Sequence, residues 1–233
     1  GVFMDTALEI LPPDYWRWYL TAQSPEHSDS SFTWETFQTT INSDLANVLG
    51  NFVNRILKFA ETRFEGKVPA GGEAGETELK LYAALDEKLA ELTAQMEAIE
   101  VRKSAQALRA IWVLGNEYLQ EAAPWTAIKT DPERAKTAIS VALFAIDSLK
   151  VMLAPVLPHT CEKLHAMLGY TEPLFGNTVI QNQAEKRSSH EVLAYEKCAG
   201  EKSGTDRWLP SNLKAGTAFE KPLPLFKILE PLA

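Results

Sequence analysis

Asn51 and Arg55 stand four residues apart in the stretch "LGNFVNRILK", so on a helix their side chains lie one above the other on a single face. An amide both donates and accepts hydrogen bonds, and a guanidinium donates in a planar fork. Together they can address the edge of a nucleobase or a phosphate. The same spacing also occurs on plain solvated helix faces. A third residue stands apart: Trp125, set just past Pro124 in "NEYLQEAAPWTAIK". A helix stopped by proline needs no large ring at its exit, so this indole either plugs a core or offers a flat face to something that stacks. A stacking ring beside hydrogen-bonding groups is how proteins hold unstacked single-stranded bases. His159, Cys161, Glu162 and His165 suggest a metal, yet only Cys161 and His165 share a helix face and no second cluster supplies ligands, so no metal is expected. The chain carries no phosphate-binding P-loop, nucleophile elbow or HExxH, and hence no identifiable active site of its own.

These residues need a scaffold, and helical periodicity predicts one. Phe37, Ile41, Leu45, Val48, Phe52 and Ile56 mark a long helix opened by Thr33 as N-cap and closed near Gly66, with Asp44, Asn47, Asn51, Arg55 and Lys58 as a polar row beside the stripe. After the loop "VPAGGEAG", Tyr82, Leu85, Leu89, Leu92, Met96 and Ile99 mark a second helix, and Ala105, Leu108, Trp112, Gly115 and Leu119 a third, ended by Pro124. In "TDPER", Thr130 and Glu133 read as a capping box that launches a fourth helix through Ile139, Leu143, Ile146, Leu149 and Leu153, and "HTCEKLHAML" makes a shorter fifth. The expected fold is all-α, an antiparallel helical bundle with an irregular C-terminal tail. Residues 1–31 hold the aromatic helix "PDYWRWYLTAQ" and a polar connector, 32–170 the bundle, and 171–233 a tail that packs back on the bundle or on a further domain.

Composition narrows the classes. Of 233 residues, 45% are hydrophobic and 23% charged, as in globular domains. A net charge of -8 gives no global attraction for phosphate, so any nucleic-acid surface must be local. Two distant cysteines, Cys161 and Cys198, point to a reducing compartment. No apolar run approaches the roughly 18 residues of a membrane span, and a cytoplasmic location without membrane contact is expected.

The order "DYWRWYL", "FTWETFQTTINSDLANVLGNFVNR" and "NEYLQEAAPW" resembles the C-terminal part of methionyl-tRNA synthetases, class I enzymes, over residues 1–170, with a weaker match at "LPLFKILE". The resemblance implies the helical anticodon-binding bundle of those enzymes. It places CAU anticodon reading on Asn51, Arg55 and Trp125, with Pro124 fixing the exit of the indole and Asn116 and Tyr118 shaping the neighbouring wall. It assigns Arg17, Trp18 and Tyr19 to the stem-contact fold between catalytic and anticodon domains. The HIGH and KMSKS signatures of class I synthetases are absent, and Gly1-Val2-Phe3 resembles the residues immediately after the KMSKS loop in those enzymes, so the expectation is a synthetase portion inactive alone. On that footing the partners are methionine tRNA, through its anticodon loop, and the catalytic domain of the same enzyme, which would bind ATP and methionine. No cofactor is expected here, and the protein is expected to be monomeric. Two alternatives stand beside this: the bundle of another class I synthetase, and a helical protein-interaction scaffold, which the acidic composition suits.

Overall fold

Thr33 opens the central helix as predicted, its hydroxyl oxygen accepting from the Thr36 N–H at 3.1 Å. The structure is a computed structural model and describes residues 2–26, 29–178, 190–193 and 213–231. Residues 179–189 and 194–212, with Cys198, lie outside the described residues. The long helix is not uniform. It runs as α3 (Trp34–Thr40), a π-helical segment (Ile41–Gly50) and α4 (Asn51–Arg63). The cause is legible in its buried stripe: Phe37, Ile41, Leu45 and Leu49 recur every four residues, wider than an α-turn of 3.6, and a looser winding keeps them on one line. The expected end near Gly66 is found, with Gly66 at φ 67° and its N–H reaching the Ala60 carbonyl at 3.3 Å.

Two helices precede it, α1 (Met4–Ile10), which apolar spacing does not signal, and α2 (Pro13–Ala22). The Trp16 indole N–H donates to the Ala7 carbonyl at 2.9 Å and ties them. Then follow α5 (Glu76–Glu97) and α6 (Val101–Ala122), which pack along each other. The predicted stripe of α6 is buried throughout, and Gly115 is required within it: a Cβ there would stand 2.5 Å from the Phe52 ring of α4. The stripe of α5 is corrected at its end. Ile99 has φ 58° and is 78% exposed, because α5 stops at Glu97 and the turn into α6 swings this side chain outward.

Pro124 does not simply end a helix. Ala123 takes a left-handed conformation, φ 39°, and Pro124 then occupies the first turn of a short helix, α7 (Pro124–Thr130). The start of α8 (Pro132–Leu153) is also corrected: Asp131, not Thr130, is the N-cap, accepting from the Arg134 N–H at 3.0 Å. Last comes α9 (Pro158–Met167). The architecture is the expected all-α bundle, joined by an unexpected two-stranded antiparallel ribbon, β1 (Phe175–Thr178) with β2 (His190–Leu193). The described end of the tail lies on the bundle. Leu225 and Phe226 are buried, the Lys227 N–H donates to the Tyr15 hydroxyl at 2.9 Å, and Asn42 exchanges two hydrogen bonds with the Leu229 backbone.

Candidate nucleic-acid interface

Asn51 and Arg55 lie on the first turns of α4, directly after the π segment, with Asn51 exposed and Arg55 half-buried. The guanidinium carbon of Arg55 lies 4.3 Å above the centre of the Trp125 ring, a cation–π contact between residues far apart in the chain. The sequence therefore marks three residues that the fold does bring to one place, across the junction of α4 and α7. Trp125 is neither free platform nor core plug. It is half-buried and packed against the core, with the guanidinium over its ring. Its place on α7 puts exposed Lys129 four residues on along the same helix face. Lys129 carries no signal in the sequence as long as Pro124 counts only as a helix stop.

Asn116 supports the site from behind. Its amide donates to the Val48 carbonyl at 3.1 Å and to the Trp112 carbonyl at 3.0 Å. Val48 belongs to the π segment, so this side chain of α6 holds the backbone that leads directly into α4, the helix carrying Asn51 and Arg55.

Several other expected site residues lie elsewhere. Tyr118 is 4% exposed and cannot line a wall facing RNA. Its hydroxyl donates to Glu78 Oε1 at 2.7 Å, and burial with the adjacent Glu78 charge pushes its phenol far up. Glu78 is fully buried and also accepts from Arg134 at 2.7 Å and from the Gly75 N–H at 2.9 Å. Burial pushes the Glu78 carboxyl up, but these hydrogen bonds outweigh it and hold the group below the usual range. Pro124 is buried at the α6–α7 corner.

Trp18 and Tyr19 are likewise interior, not contact surface. Trp18 packs on Trp112 with ring centres 4.7 Å apart and donates to Asp44 at 3.2 Å, while Arg109 pairs with the other oxygen of Asp44 at 2.6 Å. Asp44 thus leaves the polar row to lock α2 and α6 onto the π segment, a role that spacing alone does not signal. Tyr19 meets Phe37 with centroids 5.1 Å apart. Arg17 is exposed and turned onto the carbonyls of Val156 and Pro155 at 2.8 and 2.7 Å. Among the described residues no group of His, Cys, Asp or Glu side chains is placed to hold a metal. Cys161 is buried, and its thiol is pushed well up by that burial.

Residues 68–196 match the family described as the anticodon binding domain of methionyl tRNA ligase, more than half of the chain. The chain belongs to that family. Residues 1–57 match a second family, the class I tRNA synthetases of methionine type, so Asn51 and Arg55 fall in one matched region and Trp125 in the other. The methionine–tRNA ligase of Caulobacter vibrioides is 62% identical over 173 residues, 74% of this chain and 30% of that protein. The methionine–tRNA ligase of Cereibacter sphaeroides is 55% identical over 169 residues, 72% of this chain and 30% of its own length. The chain thus spans about 30% of the length of these curated relatives. Among solved structures, the free Mycobacterium tuberculosis methionyl-tRNA synthetase superposes with a TM-score of 0.77 at 24% identity, over 99% of this chain and 42% of that one. That likeness speaks to the fold of the anticodon-binding family.

Proposed function

We propose that this chain is the tRNA-recognition portion of a methionine–tRNA ligase and binds the CAU anticodon of methionine tRNA through Asn51, Arg55 and Trp125. The single observation that carries the reading is the Arg55 guanidinium held 4.3 Å over the Trp125 ring, one helical turn from the exposed Asn51 amide. Such a group combines a stacking face, a fork donor and an amide that reads both donors and acceptors. Asn116 acts as a positioning residue through Val48. Lys129 adds a positive charge for the backbone of the loop, where a chain of net charge -8 needs local cations.

In the complete ligase, methionine and ATP form methionyl-adenylate on the catalytic portion, and the methionyl group then passes to the tRNA. This portion supplies binding energy at a distance, which orients the acceptor end and discriminates against other tRNAs. A cytoplasmic monomer goes with this reading. Among the described residues no helix is long and apolar enough to cross a membrane.

Titrating methionine tRNA into the chain at low and moderate salt tests the reading. Binding is expected, with an affinity that falls as salt rises because phosphate contacts release counterions. A chain that ignores tRNA at low salt would instead support the protein-interaction scaffold.

A further inference from the structure

A cleft of about 600 Å³ opens between α3, the starts of α2 and α9, and the C-terminal segment, and none of Asn51, Arg55 and Trp125 borders it. Its volume lies within the range of small-molecule sites, about 300–1,000 Å³. Much of its lining is apolar surface left in water: Ile10 is 48% and Ile228 64% exposed, and the half-buried Trp34 lines the cleft with them. Apolar side chains scattered singly over a surface need no explanation, but grouped around a concavity they mark a place where something binds. Several polar side chains of the lining are already engaged. Gln38 donates to the Leu229 carbonyl at 2.7 Å, the Tyr15 hydroxyl accepts from the Lys227 N–H at 2.9 Å, and Asp14 is covered, 2% exposed, with Oδ2 on the Thr160 N–H at 2.6 Å.

The charge left for a ligand is mainly basic. Lys163 and Lys227 line the cleft and are exposed, and exposed His159 lines it with them. Neither lysine makes an ion pair or a side-chain hydrogen bond among the described residues, although acidic side chains outnumber lysine and arginine in the chain by 31 to 23. Glu230 is the opposing exposed carboxylate of the lining, and it pairs with neither of them. Two free ammonium groups beside an exposed apolar lining are complementary to an anionic head on an apolar body, each ammonium donating to the head in a charge-assisted bond. We propose that this cleft binds a small apolar carboxylate, its head on Lys163 and Lys227 and its body against Ile10, Trp34 and Ile228. A cation fits worse, since the two lysines repel it and the buried Asp14 is out of its reach. The site is separate from the anticodon surface, so its occupancy does not depend on whether the chain binds tRNA.

2-Naphthylacetate titrated into the 233-residue chain at neutral pH and low salt, followed by ligand-observed NMR, tests the proposal, with 2-(2-naphthyl)ethanol as the uncharged comparison. Saturable binding of the carboxylate is expected, at least about threefold tighter than the alcohol. Lys163→Gln and Lys227→Gln should each weaken the carboxylate by about two- to fivefold and leave the alcohol unchanged, and Glu230→Gln should tighten the carboxylate. Ile228→Ser should weaken both ligands. Lys214→Gln, which removes an exposed lysine that does not line the cleft, should leave both as they are. All five substitutions are at exposed positions, so the melting temperature should hold in each. No saturable binding, equal affinity for the alcohol, no loss in the two lysine variants, no tightening in Glu230→Gln, no loss in Ile228→Ser, or an equal loss in Lys214→Gln would each overturn the proposal.

Discussion

Arg55 and Trp125 are already in contact without RNA. A cation–π pair at a partly exposed site contributes about 0.5–1 kcal/mol, whereas a base stacked on an aromatic ring contributes about 1–3 kcal/mol. A base can therefore displace the guanidinium or stack on the indole beside it, and Arg55 is then free to turn its fork to a base edge. Replacing Arg55 by Ala in the complete ligase is expected to cost about 1–3 kcal/mol in kcat/KM for aminoacylation, with adenylate formation unchanged. Equal losses in both steps, measured by aminoacylation and by pyrophosphate exchange, would make Arg55 structural. Asn51→Ala should act in the same direction, and the double variant should be non-additive where both contact one base. The pair is legible in the sequence because it sits on a strongly periodic helix. The half-burial of Trp125 is not, since it depends on a contact with Arg55 of α4, seventy residues earlier in the chain, that no local pattern contains.

At the scale of elements, the site is held by joints. The π segment, braced by Asn116 on Val48 and by Asp44 between Trp18 and Arg109, sets where α4 begins. Close approach of α6 to α4 at Gly115 fixes the other side, and Gly115→Ala is expected to cost about 1–3 kcal/mol of stability by overpacking against Phe52, read by chemical denaturation. The Glu78 cluster ties α5 to α6 and α8 through Tyr118 and Arg134. Its carboxyl titrates lower in the folded chain than in the unfolded one. Its contribution is therefore complete above the unfolded carboxyl range, near pH ~4.3, and is lost as pH falls through the folded value. Glu78→Gln should flatten the acid limb of the stability profile and lower stability at neutral pH by about 2 kcal/mol. A steep acid limb that persists in Glu78→Gln would assign it to other carboxylates.

The main helices are legible from apolar spacing, and their joints are not. The N-cap at Asp131 and the helix begun by Pro124 turn on single-residue dihedrals, Ala123 at φ 39° above all, which no hydrophobic pattern encodes. The π winding is in principle visible in the four-residue steps from Phe37 to Leu49, but an ordinary helical stripe accommodates the same residues and hides it.

As a whole molecule, the chain is an acidic bundle whose described C-terminal segment lies on α2, α3 and the π segment. Removing residues 224–231 is expected to lower the melting temperature, because Leu225 and Phe226 leave the core and Asn42 loses its backbone partner. An unchanged melting temperature would make that segment a passive covering. The purified chain is expected to give no methionine-dependent pyrophosphate exchange, and exchange above background would contradict its assignment to recognition alone. The central claim is that Trp125 reads the anticodon, and it is tested most directly by the affinity of the chain for a CAU anticodon stem-loop against the same stem with a changed anticodon. The wild-type chain should prefer CAU, Trp125→Phe should keep much of that preference, and Trp125→Ala should lose about 1–3 kcal/mol of it with only a modest fall in melting temperature. No preference for CAU in the wild-type chain, or a loss in Trp125→Ala that merely tracks the unfolded fraction, would contradict it.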